Sequence, residues 1–277
     1  MPGRQGLATI ETPQWERFFS VSLETAMALF DSLGDAEPAR GVEMVRELAS
    51  TLLPPQGVAG LDPEVAWLSL PVEQVGGDFH DLISGAARTY VMIGDVSGSG
   101  PLTALFMAMT TCLFRILAPD GVAPGEMLQL ANRILYPHLK RRGSLITAQV
   151  ACFDHRERRL AIASAGHLWP YMMKDGRFAE VELDGLPLGA LPELAACEVT
   201  LPVNSGDRMV FYTDGLVECT NRSGEMFGFD RVAGALGKET GTSAQGLIDA
   251  VMMRFREFVR EGGRRDDVSV IALAWTR

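Results

Sequence analysis

Apolar positions follow two different rhythms along this chain. From Trp15 to about Leu53 they recur at three- and four-residue steps. Trp15, Phe18, Phe19, Leu23, Met27 and Phe30 mark one helical face, and Val42, Val45, Leu48, Ala49 and Leu52 mark a second. A break at residues 33–38 separates the two runs, and Pro54-Pro55 stops the second. The pattern predicts a flexible tail over residues 1–14, a helical hairpin or linker over 15–53, and the main domain over 54–277.

Beyond Pro63 the rhythm changes to short apolar runs punctuated by Gly and Asp. Residues 65–70, 90–93, 146–153, 160–164, 169–173, 178–183, 209–212 and 268–274 read as strands. Amphipathic stretches at 102–117, 126–139, 229–236 and 244–259 read as helices. Turn signals at 154–159 and at Lys174-Asp175-Gly176 join neighbouring strands into antiparallel hairpins. Strands dominate and helices come in pairs between them. The packing solution is an α+β sandwich, helices layered on antiparallel sheets, behind an N-terminal helical extension.

Composition narrows the function. The hydrophobic fraction of 47% supports a substantial core and excludes a disordered chain. With 25 Lys and Arg against 35 Asp and Glu, the net charge of −10 disfavours nucleic acid and anionic membranes as partners. The basic clusters Lys140-Arg141-Arg142 and Arg264-Arg265 read as solvated loops. Cys112, Cys152, Cys197 and Cys219 lack metal-ligand spacing and read as free buried thiols in a reducing cytoplasm. The first residues carry no apolar signal core. The most hydrophobic stretch, 102–118, is interrupted by Thr103, Thr110, Thr111 and Arg115, so it reads as a core helix and not a membrane span.

The chemistry gathers at aspartates beside strands. Ile93 leads into Gly94-Asp95-Val96-Ser97-Gly98, Tyr212 into Thr213-Asp214-Gly215, and Asp266-Asp267 into Val268; Gly76-Gly77-Asp78 follows the 65–70 strand. Each alone reads as a turn. Together they form a set of like charges that needs cations to be stable. All-oxygen donors suit Mg²⁺ or Mn²⁺, and no zinc motif is present. Two such cations can clamp a phosphate ester and activate water, so no protein nucleophile is required.

The ordered set Gly76-Gly77-Asp78-Phe79, Gly94-Asp95-Val96-Ser97-Gly98, Ala165-Gly166-His167, Leu186-Pro187-Leu188-Gly189, Tyr212-Thr213-Asp214-Gly215 and Asp266-Asp267-Val268-Ser269 resembles the bacterial metal-dependent (PPM-type) serine/threonine phosphatases of the SpoIIE and RsbU sigma-regulator group. Leu52-Leu53-Pro54-Pro55 is similar to the entry into that domain. The resemblance spans about residues 48–275. It implies two antiparallel sheets flanked by helices and two Mn²⁺ or Mg²⁺ ions. It also implies Asp78, Asp95, the Val96 carbonyl, Asp214 and Asp266 as metal ligands, with Asp95 bridging and Asp95 and Asp214 central to catalysis. Asp267 would act behind the ligands or on a third metal. The implied substrate is phosphoserine or phosphothreonine on a STAS-type anti-anti-sigma protein. An upstream regulator or a second copy would use the N-terminal helices. The alternative is a catalytically silent scaffold of the same fold.

The chain departs from its relatives in places. Ser99 stands where many carry Lys or His, and Ser97 where eukaryotic-like relatives carry His. No Arg matches their phosphate-holding Arg near the first acidic motif. That leaves the general acid unassigned. His167 reads as a structural tie between loop and sheet. His80 is the other histidine near an acidic motif.

Overall fold

Strands buried on both faces explain the long apolar runs. The computed structural model describes residues 51–52, 54, 57–59, 62–72, 76–119, 121–237, 243–259 and 266–276. The expected tail lies outside the described residues, as does all of the expected hairpin except residues 51–52, which are helical.

One sheet contains β1 (Gly57–Ala59), β2 (Glu64–Leu70), β7 (Tyr171–Lys174), β8 (Arg177–Glu180), β10 (Arg208–Tyr212) and β11 (Val268–Ala274), in the order β1-β2-β11-β10-β7-β8. The other contains β3 (Phe79–Ser84), β4 (Arg88–Val96), β5 (Ile146–Asp154), β6 (Arg159–Ala165) and β9 (Cys197–Pro202), in the order β3-β4-β5-β6-β9. Every strand pairing within the two sheets is antiparallel.

Alternation assigns the faces. On β10, Met209 and Phe211 join Val91, Ile93, Phe153, Ile162 and Ile271 in a core between the sheets. Val210 and Tyr212 point the other way, into a second core with Leu216, Phe227, Leu247, Val251 and Phe255. That outer core is closed by α3 (Asp214–Glu218), α4 (Phe229–Leu236) and α5 (Ala244–Val259). The five-stranded sheet is covered by α1 (Pro101–Leu117) and α2 (Pro124–Arg142), with the Phe79 and Phe114 rings 6.4 Å apart.

Local chemistry sets the helix ends. Both α1 and α2 begin with Pro, whose missing N–H is an orphan in a first turn anyway. Gly143 ends α2 in the left-handed conformation, and Lys140, Arg141 and Arg142 occupy its last turn, where positive charge complements the dipole. In buried α1, the Thr110 and Thr111 hydroxyls donate to the carbonyls of Phe106 and Met107. Near its end, Arg115 pairs with Asp81 of β3 and donates to the Leu52 carbonyl.

The four longer helices and eight of the strands overlap the stretches where the pattern placed them, β8 ending at Glu180 rather than at 183; the short α3 was not expected. Tyr171 begins β7 two residues late, because Pro170 lacks a ladder N–H. Three strands were not legible. β3 carries buried His80 and Asp81, β9 alternates half-buried and exposed residues, and β1 has three residues. Asp78, which follows the 65–70 strand in sequence, leads into β3, in the opposite sheet. Cys112 and Cys197 are only partly buried, though all four cysteines are free. Among the described residues no helix is long and apolar enough to cross a membrane.

Candidate metal centre

Four separate segments bring carboxylates to one end of the sandwich. Asp95 lies inside β4, beside Thr147 of β5. Asp214 is the first residue of α3, after β10. Asp266 and Asp267 precede β11, the neighbour of β10. Asp78 precedes β3.

Glycine holds these segments close. A Cβ on Gly77 would lie 2.5 Å from Asp95 Oδ1 and 2.6 Å from the Val96 carbonyl oxygen. A Cβ on Gly76 would lie 1.3 Å from Asp267 Oδ2. No other residue fits between the two acidic segments. The Val96 N–H donates to the Gly77 carbonyl at 3.2 Å, which sets the register of the approach.

Threonine and serine fix the deeper carboxylate. The Thr213 hydroxyl donates to Asp78 Oδ2 at 2.7 Å and accepts from the Ser269 N–H at 2.9 Å. Asp267 accepts from the Val72 N–H at 2.8 Å, and Asp266 accepts from the Asp267 N–H at 2.9 Å. Asp78 and Asp267 are buried, whereas Asp266 is open to solvent.

The charges oppose one another. Burial, then Asp214, Asp266 and Asp267, push the Asp95 carboxyl up to about 7. Burial raises Asp78 well above the usual carboxylate range; its Thr213 hydrogen bond opposes this, and Asp95 and Asp267 add to the rise. Burial and then Asp266 and Glu218 raise Asp214. Asp95 thus feels three of the other carboxylates at once. Among the described residues, no three His, Cys, Asp or Glu side chains are close enough to share one ion. The donors are all oxygen and repel one another, which suits a hard cation by their chemistry.

The histidines stay out of this cluster. His167 Nε2 donates to the Tyr212 carbonyl at 3.1 Å, so Nδ1 accepts from the Thr147 hydroxyl at 2.9 Å. Both nitrogens are used, and burial pushes the ring down to about 4, so it is a neutral tie between β5 and β10. His80 is buried with neither ring nitrogen bonded; burial holds it at about 4. Ser97 closes its loop: its hydroxyl accepts from the Leu145 N–H at 2.8 Å. Thr213 and Ser269 stood within the acidic motifs of the sequence but were given no role there.

Two antiparallel sheets face to face, helices outside and carboxylates at one end define the PP2C-type phosphatase fold. The chain belongs to the stage II sporulation protein E (SpoIIE) family, whose model matches residues 85–276. Asp95, Asp214 and Asp266 lie within that span, and Asp78 precedes it. The chain is 26% identical over 185 residues to the phosphoserine phosphatase RsbU of Bacillus subtilis (strain 168), covering 66% of this chain and 55% of that relative. It therefore spans about half of RsbU's length. The SiaA-PP2C domain of Pseudomonas aeruginosa has a TM-score of 0.71 at 21% identity, over 89% of this chain and 98% of that one. RsbX in complex with magnesium has a TM-score of 0.62 at 16% identity, over 79% of this chain and 98% of that one.

Proposed function

We propose that this chain is a metal-dependent protein phosphatase that hydrolyses phosphoserine or phosphothreonine, with a STAS-type anti-anti-sigma protein as substrate in a partner-switching pathway. One observation carries the reading: Asp95 is destabilised as an anion by its burial and then by Asp214, Asp266 and Asp267, which converge on it from different chain segments. Membership of the SpoIIE family and the similarity to a phosphoserine phosphatase support it.

Asp78, Asp95, Asp214, Asp266 and the Val96 carbonyl would hold the cations, Mg²⁺ or Mn²⁺ and two in number. When bound, such ions supply positive charge against phosphate oxygens and lower the pKa of water. The chain's own residues set the geometry. Thr213 fixes the orientation of the Asp78 carboxylate by donating to its Oδ2. Gly77 lets the Val96 carbonyl and the Asp95 carboxylate share one narrow space. The first turn of α1, whose Thr103 packs beside Gly77, brings the positive end of a helix toward the incoming phosphate.

The substrate class is tested by comparing turnover of a phosphorylated STAS protein with that of a small aryl phosphate, with Mn²⁺ present. The reading predicts a higher kcat/KM on the protein. Equal or lower kcat/KM would assign a small-ester hydrolase instead.

A further inference from the structure

The segment Leu186-Pro187-Leu188-Gly189 supplies no carboxylate to the metal centre, yet it runs along its border. Leu188 is buried and exchanges two backbone hydrogen bonds with Ile146, at 2.8 and 3.1 Å. Ile146 pairs in turn with Val96 of β4, whose carbonyl is a proposed ligand. Two strand spacings, about 10 Å, therefore separate Leu188 from Val96.

Buried groups brace this ledge. Asn132 of α2 is 1% exposed, and its whole side chain is spent on the segment. Its Oδ1 accepts from the Gly189 N–H at 2.9 Å, and its Nδ2 donates to the Leu191 carbonyl at 3.0 Å and the Pro192 carbonyl at 3.2 Å. Gly189 sits tight against the end of α2: a Cβ there would lie 2.9 Å from the Leu139 Cβ and 3.1 Å from the Ser144 carbonyl oxygen. Leu145 is held just as firmly. Its N–H donates to the Ser97 hydroxyl at 2.8 Å, and its carbonyl accepts from the Ser97 N–H at 2.9 Å.

These fixed backbones present leucines to solvent. Leu145 is 39% exposed, Leu186 49% and Leu191 48%. A single exposed leucine is ordinary surface. Leucines on braced segments around one site make a preformed apolar contact, which loses little conformational freedom on binding. Positive charge adjoins them. Lys140, Arg141 and Arg142, in the last turn of α2, are exposed and come just before Leu145 in the chain. The molecule carries a net charge of −10 and its metal centre is acidic, so a phosphoprotein approaching it needs a local attraction.

From these features we infer that the ledge seats the polypeptide flanking the phosphorylated residue of the protein substrate. An apolar stretch of that polypeptide lies on Leu145 and Leu186, and its acidic residues face the end of α2. The inference rests on the phosphatase reading. A phosphoserine whose phosphate reaches the metal centre carries its neighbouring chain across this end of the sandwich. The ledge lies within the reach of about three extended residues. A small phosphate ester has no such chain and does not reach the leucines. Leu145 and Leu186 are thus specificity-determining contacts, which act on binding of the protein and leave the metal chemistry alone.

The full chain with Mn²⁺ is compared with a variant carrying Leu145→Ser and Leu186→Ser, and with Lys140→Glu. All three side chains are exposed, and the backbone bonds of Leu145 to Ser97 are kept. Affinity for a phosphorylated STAS protein is measured by calorimetry in an Asp214→Asn background, which does not consume it. Turnover of an aryl phosphate is measured with Asp214 intact. The inference predicts affinity at least about tenfold weaker in the double leucine variant. Aryl phosphate kcat/KM should stay within about twofold of the unsubstituted chain. Lys140→Glu should weaken protein binding more at low salt than at high salt. Absence of binding with the leucines intact would overturn the inference, as would unchanged affinity in the leucine variant or, at low salt, in Lys140→Glu. Parallel loss of aryl phosphate turnover would overturn it by making the leucines supports of the metal centre. A dimer that dissociates on the leucine substitutions, seen by ultracentrifugation, would overturn it by assigning the ledge to a second copy. Leucine-dependent binding of a phosphoprotein that the unsubstituted chain does not hydrolyse would keep the ledge and remove the phosphatase reading.

Discussion

At the scale of single residues, the site is a set of charges that the fold holds against their preference. Asp95 shows this best. Its carboxyl in the folded chain titrates near 7, above the ordinary unfolded value. A raised carboxylate pKa means the folded state holds the proton more tightly. The ionised form therefore costs stability, fully above about pH 7 and not at all below about pH 4. Asp95→Asn removes that cost. In chelator-treated protein at pH 8 it should raise stability by about 1–3 kcal/mol, seen as a higher Tm, while abolishing cation-dependent turnover. An unchanged or lower Tm would mean that burial and repulsion do not penalise the Asp95 anion. His167 carries the opposite sign. Its pKa is lowered to about 4, so its contribution is complete above the unfolded value near 6.5 and is lost as pH falls from there toward 4. His167→Gln should flatten the fall of stability over that window by up to about 1.4 kcal/mol per pH unit, read from denaturant midpoints. The acidic motifs stood out in the sequence because Gly flanks Asp78, Asp95 and Asp214 and an apolar strand adjoins Asp95, Asp214 and Asp266-Asp267. The roles of Thr213 and Ser269 did not. Hydroxyls are common, and only the pairing of β10 with β11 brings these two against Asp78.

At the scale of elements, loops and strand ends carry the chemistry and sheets fix their positions. Gly76-Gly77 passes between the β4 end and the segment before β11. Gly77→Ala would force a Cβ into the Asp95 Oδ1 side-chain oxygen and the Val96 carbonyl, and the latter is backbone that cannot yield as a flexible side chain would. Cation affinity, measured by calorimetry, should fall at least about tenfold, since first-turn geometry and donor spacing set affinity in hard-cation sites. Unchanged affinity would contradict the placement of the Val96 carbonyl in the site. Strands buried on both faces, such as β10 and β11, announced themselves as continuous apolar runs. β3 did not, because its core face includes His80 and its Asp81 is paired with Arg115 from α1. That pairing is made across 34 residues of sequence, and no local pattern reports it.

At the scale of the molecule, two sheets meet so that four chain segments far apart in sequence share one acidic end. The sandwich itself was readable from alternation, turns and helix pairs. The partition of strands between sheets was not, since β2 and β3 are neighbours in sequence yet belong to different sheets. An overall charge of −10 adds to the local repulsion, so cation binding should be weakened by salt through screening of the whole acidic field. The central claim is that these carboxylates hold cations that enable phosphoester hydrolysis. The most direct measurement is phosphate release from a phosphoserine protein by the full chain, with Mn²⁺, with chelator, and with Asp214→Asn. The account predicts turnover with Mn²⁺, and loss of at least about a thousandfold with chelator and in the variant. Turnover that survives both chelator and Asp214→Asn would contradict it.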